Sequence, residues 1–209
     1  MFNEPKAISS IQLLKQAQAG DFASLGTLLS TYANYMKVLS CSQLDVRVQG
    51  RISSSDVVQE SLLEAHRDFK KFAGDSLPEF TGWIRKILIH NLARTVESHV
   101  LAAKRDIRRE RPLETANDSL TRSHGRLEAM LADHRRSPAS EADHHETLVE
   151  LANAIAGLSA EYREVIVLRH IEGLAFADVA ERMKRTPGAT RMLWMRAIER
   201  LREAMQSTE

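Results

Sequence analysis

The feature that most constrains the fold is residues 174–201, where two apolar stripes of helical spacing are separated by a short break. The first stripe covers 176–183, and the break covers 184–186. Thr186 is a favourable helix N-cap, and Pro187 suits the first helical position because its missing N–H would have no partner there. A short helix, a tight turn and a capped second helix predict a helix-turn-helix.

The rest of the chain repeats apolar side chains at three- and four-residue spacing, which predicts helices throughout. Only 9 of the 209 residues are glycine and 5 are proline. We expect two helices over 8–39, broken at Gly20-Asp21, a third over 55–71, a fourth over 80–96, and four more in the C-terminal part. The predicted fold class is therefore all-α, with two helical domains joined by a linker.

The linker is predicted at 111–144, between an N-terminal domain at 1–110 and a C-terminal domain at 145–209. This stretch loses regular apolar periodicity and is rich in Ser, Thr and Asn. Leu127, Met130 and Leu131 are expected to form no more than one or two amphipathic turns.

Basic residues are clustered although the formal net charge of the whole chain is only +1. Residues 182–202 contain seven Lys or Arg against Glu199 alone, and 85–111 contain eight against three acidic residues. On a wheel of about 100° per residue, the basic side chains after 190 share one arc with Met192 and Met195. A charged arc is often only a solvated face, but the capped helix entry and the small Ala180 at the helix crossing favour binding to DNA phosphates.

Several classes of protein are disfavoured by the sequence. The single cysteine, Cys41, cannot form an internal disulfide, and no His or Cys spacing suggests a metal site. The N-terminus lacks a signal-peptide pattern, and no run of about 18 apolar residues predicts a membrane span. We find no glycine-rich phosphate loop and no pair of carboxylates with a His at a spacing that suggests catalysis. The expectations are a cytoplasmic protein that is not an enzyme and needs no cofactor or metal.

At this point two sets of motifs resemble a known family. Residues 157–169 (GLSAEYREVIVLR) and 172–174 (EGL) look like region 4 of the extracytoplasmic-function (ECF) sigma factors. Residues 56–60 (DVVQE) are the first of several motifs that are similar to region 2 of that family. These motifs occur in nearly the same order and spacing as in the family. The others are Phe69, Phe72, Phe80, Trp83-Ile84 and Asn91-Leu92-Ala93. The resemblance covers 8–110 and 145–205, and the segments AAKRDIRRE and TPGATRMLW resemble a subgroup common in planctomycetes.

The resemblance implies core RNA polymerase as a partner, through its β′ clamp helices and β flap, together with promoter DNA. It leaves room for an anti-sigma factor and implies no membrane contact. The residues that would face the clamp helices are Asp56, Gln59, Glu60 and Glu64. Acidic and amide groups one turn apart suit a basic partner helix, whereas the helix macrodipole alone accounts for Asp56.

The resemblance also implies two DNA surfaces. The −10 element would contact Trp83, Arg85, Lys86, Asn91, Arg94, Lys104, Arg105 and Arg108. A loop at about 97–103 would capture an unstacked base. Trp83 lies in an apolar run, where a tryptophan is more often a core residue.

The −35 element would meet the second helix of the helix-turn-helix. Arg191, Met192 and Met195 would point at bases, since Arg can bind guanine and Met can pack on a thymine methyl. The residues nearer to phosphates would be Arg185, Thr186, Arg196 and Arg200. Exposed methionines also suit a protein partner, and that alternative stays open.

Two departures from the family pattern concern the helix-turn-helix itself. Ala175 stands where Ser or Thr usually caps the first helix, a loss of about 1 kcal/mol. Lys184 replaces the usual turn glycine, so either a positive φ there is strained or the turn is of a different kind. The main rival function is a stand-alone helix-turn-helix regulator with an N-terminal sensing or dimerisation domain. It accounts for 145–209 but not for an acidic helix at 56–64 followed by a basic segment.

Overall fold

The computed structural model describes residues 8–41, 53–103, 113–132 and 141–207. All regular structure in these ranges is helical, which confirms the predicted all-α class. The helices are α1 (Ser10–Gln18), α2 (Phe22–Thr31), α3 (Ala33–Cys41), α4 (Ser54–Asp68), α5 (Leu77–Ala103), α6 (Leu113–Ala132), α7 (Glu141–Gly157), α8 (Ala160–Ile166), α9 (Phe176–Arg182) and α10 (Pro187–Gln206). A 3-10 turn (Phe69–Lys71) follows α4, and a π-helical turn (Val167–Ile171) continues α8.

The predicted N-terminal hairpin contains three helices instead of two. The break expected at Gly20-Asp21 is present, and the Asp21 carboxylate caps α2 by accepting the Ala23 N–H at 3.0 Å. A second break lies at Tyr32. This residue is the C-cap of α2, and its carbonyl accepts the Met36 N–H at the start of α3. The Tyr32 ring packs edge-on against Phe80 at 5.2 Å, so this break places an aromatic side chain in the core.

Helices α1 to α5 pack around an aromatic and aliphatic core in the N-terminal half. Tyr32, Tyr35, Phe80 and Leu88 are almost fully buried there. Helix α5 packs along α4, and it begins where Glu79 accepts hydrogen bonds from the N–H groups of Asp75 and Ser76. Helices α4 and α5 are therefore held side by side.

The prediction of a mostly irregular linker is wrong for the 20-residue helix α6. Its buried stripe recurs at helical spacing and consists of Leu120, Ser123, Leu127, Met130 and Leu131. The stripe packs on α5, α7 and the π-helical turn. The Ser and Thr residues that suggest a linker are compatible with this helix because its apolar side is covered by tertiary contacts.

Helix α6 also ties the two halves of the molecule together. The Arg126 guanidinium donates to the carbonyls of Ile171 at 3.2 Å and Glu172 at 2.5 Å, at a helix end that offers unpaired carbonyls. On its other side, Nδ1 of His124 lies 3.1 Å from the Tyr35 hydroxyl. Buried side chains of both halves form one continuous apolar core. The C-terminal helices are thus packed on the N-terminal half.

Candidate functional site

The entry to α10 has the geometry of a helix-turn-helix. The Thr186 hydroxyl accepts the Ala189 N–H at 3.3 Å and caps the helix, as predicted. Ala175 is the N-cap residue of α9 and provides no side-chain cap. Lys184 has φ 53°, so of the two alternatives for the missing glycine the structure has the strained positive φ. The Arg185 N–H closes this turn by donating to the Ala180 carbonyl at 2.9 Å.

One side of α10 is fixed against the C-terminal half. Its buried residues are Thr190, Leu193, Ala197, Ile198 and Leu201. Trp194 is half-buried, and its indole Nε1 donates to Nε2 of His170 at 2.8 Å while the two rings stack. Phe176 of α9 packs edge-on against the Trp194 ring at 5.5 Å. These contacts determine which side of α10 faces outward.

The outward side of α10 carries the three residues predicted to reach −35 bases, Arg191, Met192 and Met195, together with Arg196 and Arg200, while Arg185 and Thr186 lie just before the helix. Met192 and Met195 are 50% and 56% exposed, although both are large apolar side chains. The Arg191 guanidinium leans over the Phe176 ring at 5.7 Å. Arg196 is exposed beside the two methionines. The arc predicted from the helical wheel is therefore a real surface.

Two other arginines of this surface form exposed ion pairs. Arg185 binds Glu161 at 2.5 Å, and Arg200 binds Glu203 at 2.6 Å. Exposed pairs of this kind contribute only about 0–1 kcal/mol. A phosphate group could therefore replace either carboxylate at little cost.

The acidic face of α4 starts at a capped helix end, where the Ser53 hydroxyl accepts the Ser55 N–H at 3.2 Å. Asp56, Gln59 and Glu60 are exposed on this face. Glu64 is half-buried, and its carboxylate accepts the amide Nδ2 of Asn91 at 2.8 Å. Three of the four predicted polymerase-facing side chains are thus open to a partner, and Glu64 lies at the border with α5.

Asn91 does not occupy the position expected of a DNA-binding residue. Its side chain is 1% exposed. It donates to Ser61 at 3.3 Å and to Glu64, and it accepts a hydrogen bond from Arg94 at 2.9 Å. The structure corrects the prediction: Asn91 joins α4 to α5, because a buried amide with several hydrogen bonds is a packing group.

Trp83 and Arg85 also turn inward from α5. Trp83 is half-buried among Phe69, Phe72 and Phe80, with ring centroids 5.4–6.2 Å away. Arg85 lies beside the Tyr35 hydroxyl; burial raises the pKa of Tyr35, and the nearby guanidinium opposes that rise. Both half-buried residues contact the N-terminal core, and their contact with the −10 element stays a prediction.

The remaining −10 candidates divide into two groups. Lys86 is exposed, and Arg94 is exposed with an ion pair to Glu60 at 3.3 Å. Lys104, Arg105 and Arg108 lie outside the described residues. The base-capturing loop predicted at 97–103 is part of α5 instead. No Gly or Pro follows Gly82 within this helix, so nothing in the local sequence ends it earlier.

Two large apolar side chains on α2 and α4 are exposed but are not among the predicted site residues. Phe22 is 64% exposed and Leu63 is 68% exposed. A helical wheel of α4 would have found Leu63, since it lies on the same side as Gln59 and Glu60. Phe22 comes from another helix, and its proximity to α4 cannot be read from the sequence.

The described residues contain neither a candidate metal site nor a candidate membrane span. No group of three or more His, Cys, Asp and Glu among the described residues is arranged to hold a metal ion. None of the described helices combines the length and apolar character needed to cross a membrane.

Comparison with known proteins identifies relatives along most of the chain. The family model for sigma-70, region 4, matches residues 148–201. The RNA polymerase sigma-H factor of Pseudomonas aeruginosa is 30% identical over 203 residues, covering 93% of this chain and 93% of that protein. The ECF RNA polymerase sigma-E factor of Haemophilus influenzae is 28% identical over 197 residues, covering 93% and 94%.

Two solved structures are also similar. CnrH in complex with the cytosolic domain of CnrY is 19% identical, with a TM-score of 0.31 and coverage of 96% of this chain and 99% of that one. The RsbN-BldN complex has the same identity and TM-score, with coverage of 90% and 96%. The assignment rests on the sequence relatives, which are sigma factors and not enzymes, and it does not favour a stand-alone regulator. The chain belongs to the extracytoplasmic-function RNA polymerase sigma factors.

Proposed function

We propose that this sigma factor reads the −35 element with the outward side of α10 and docks on core RNA polymerase with the exposed face of α4. The observation that carries the proposal is the pair of surfaces themselves. One is basic and presents Met192 and Met195, and the other is acidic and presents Asp56 and Glu60. DNA phosphates attract the first surface, and a basic protein helix suits the second.

At the −35 element, α10 would enter the major groove with its first turns. Arg191 and Met192 would reach base edges, and Met195 would follow one turn later on the same side. Arg196 would contact phosphates, where it adds affinity without sequence preference. Arg185 and Arg200 would exchange their exposed carboxylate partners for phosphates.

At the −10 element we propose fewer contact residues than the sequence predicts. Lys86 and Arg94 are the described side chains of α5 that are open to DNA. The basic residues Lys104, Arg105 and Arg108 remain predicted contacts. Trp83 and Asn91 would act indirectly, by keeping α5 in place on the N-terminal core.

The domain boundaries 1–110, 111–144 and 145–209 are part of the same proposal, with α6 as a helical connector. We also propose that the chain has no catalytic activity of its own and works in the cytoplasm beside the polymerase. An anti-sigma partner remains a prediction.

The proposal is tested by two arginines on the same helix. Promoters are first selected from a random library by run-off transcription with core polymerase. Arg191→Ala should lower discrimination among −35 sequences by about 1–3 kcal/mol, because a bidentate base contact is lost. Arg196→Ala should weaken all sequences alike and reduce the slope of log affinity against log salt by about 1.

Equal effects of the two substitutions on all sequences would show that α10 does not read bases as proposed. If the wild-type protein and core polymerase select no start sites from the library, the promoter-reading role is contradicted altogether. A variant at an exposed position of α1, Lys15→Ala, is the matched control, since it removes a positive charge far along the chain from α10.

A further inference from the structure

Phe22 and Leu63 are the two most exposed large apolar side chains of the described residues, at 64% and 68%. One exposed leucine on a protein surface needs no explanation. The position of Phe22 and Leu63 needs an explanation, because both side chains border the face of α4 that we propose for polymerase binding.

Leu63 lies at the centre of that face. At about 100° per residue, six exposed side chains of α4 fall within an arc of roughly 120°. They are Asp56, Gln59, Glu60, Leu63, His66 and Arg67. The angle of Leu63 falls between those of Asp56 and Gln59. An uncharged, apolar side chain is therefore surrounded by polar groups that remain in solvent.

Phe22 extends the apolar surface onto a second helix. It is the first residue of α2, and its ring centroid lies 6.2 Å from that of His66. His66 is three residues after Leu63, so the two side chains are neighbours on one side of α4. Phe22, His66 and Leu63 thus form a continuous strip across the α2–α4 contact.

An apolar centre with a polar rim is the usual anatomy of a protein–protein interface, in which a few buried anchors supply most of the affinity. The strip is continuous with Asp56, Gln59 and Glu60, and its rim is acidic at that end. A surface of the opposite kind, with an apolar side chain between basic ones, would complement it.

We propose that Leu63 and Phe22 are the apolar anchors with which this chain binds core RNA polymerase. The inference rests on the proposed role of the α4 face and adds the residues that dominate its affinity. Asp56 and Glu60 then guide the approach and fix the orientation, while Leu63 and Phe22 slow dissociation.

The test is the affinity of the full-length chain for core polymerase, measured by fluorescence anisotropy at low and at high salt. Leu63→Ala and Phe22→Ala should each weaken binding about tenfold, the range expected of interface anchors. That factor should be the same at both salt concentrations, because apolar contacts are not screened. The paired variant Asp56→Asn/Glu60→Gln should lose affinity mainly at low salt.

The matched control is Ile8→Ala, which truncates another exposed apolar side chain, at 54% exposure, that belongs to neither α2 nor α4. It should bind like the wild type. Circular dichroism melts of the variants should coincide with the wild type, since all these side chains are exposed.

The other outcomes are decisive as well. If only Asp56→Asn/Glu60→Gln weakens binding, the anchor inference is wrong and the proposed α4 face stands. If none of the variants weakens binding, the α4 face itself is wrong. If the wild-type chain sediments as a dimer and Leu63→Ala as a monomer, the strip binds a second copy, and the inference is overturned.

Discussion

Two pairs of exposed apolar side chains distinguish this sigma factor, and their surroundings have opposite charge. Phe22 and Leu63 border Asp56 and Glu60 in the N-terminal half. Met192 and Met195 lie on the helix that carries Arg191, Arg196, Arg200 and Arg202. The apolar content of the two surfaces is similar, so the charge around each pair determines which class of partner it suits.

The side chains themselves differ in a way that fits those partners. Leu and Phe have few rotatable bonds and suit a pocket of fixed shape in a protein. Met is unbranched and adaptable, so it can follow the uneven floor of a DNA groove. The comparison thus predicts that substitutions in one pair leave the partner of the other pair unaffected.

The largest effect is expected from a charge placed in the C-terminal pair. Met195→Glu would bring a carboxylate against DNA phosphates and should weaken holoenzyme binding to a selected promoter by about 100-fold, or ~2.7 kcal/mol. Affinity for core polymerase should not change. Met195→Gln is the control, since it has similar length without the charge. Loss of polymerase binding by Met195→Glu would contradict the claim that the two pairs serve different partners.

The next largest effect is expected on protein stability, from a substitution in the backbone before α9. Gly173 has φ 74°, a backbone conformation that strains any residue with a Cβ, and a Cβ there would also displace the Arg126 guanidinium from the end of the π-helical turn. Gly173→Ala should therefore destabilise the protein by about 2 kcal/mol. Gly125→Ala, at an exposed position of α6 with open space around it, should be stabilising. Thermal melts compare the two, and equal shifts would contradict the proposed strain.

A smaller effect is expected at the turn between α9 and α10. Lys184 has a left-handed φ of 53°, which costs a residue with a Cβ about 1 kcal/mol relative to glycine. Lys184→Gly should stabilise the protein by about that amount, measured by urea unfolding. It should leave −35 sequence preference unchanged, because it only supports the surface. A change in preference would mean that Lys184 itself reads DNA.

The smallest effect tests the methionines directly. Uracil lacks the methyl group of thymine, and a buried methyl contributes about 0.8 kcal/mol, or roughly a fourfold change in affinity. Replacing −35 thymines by uracil should weaken wild-type holoenzyme by that factor at one or two positions. Met192→Ala or Met195→Ala should abolish the difference. If the methionines face a protein instead, uracil will have no effect in any variant.

The local features of the fold could be predicted from the sequence. Apolar spacing identified the helix-turn-helix, the Thr186 cap and the outward side of α10, all of which depend on neighbouring residues. The uncapped Ala175 was also predictable, because it follows from one residue type in a known local geometry, whereas the sequence left open whether Lys184 has a positive φ or the turn is of a different kind.

Features that depend on distant residues could not be predicted. Helix α6 has a polar sequence that is helical because α5, α7 and the π-helical turn cover its apolar stripe. Asn91 and Arg85 look like surface residues until Glu64 and Tyr35 are placed beside them. Phe22 gains its significance only from its contact with His66. In each case the deciding partner is far away in sequence.

The central claim is that the two surfaces serve different partners, and one experiment tests it most directly. Phe22→Ala/Leu63→Ala and Met192→Ala/Met195→Ala are compared for affinity to core polymerase and, once saturated with polymerase, for affinity to a selected promoter. We predict that the first double variant loses polymerase affinity alone and the second loses promoter affinity alone. Equal loss of both affinities by either variant would contradict the account.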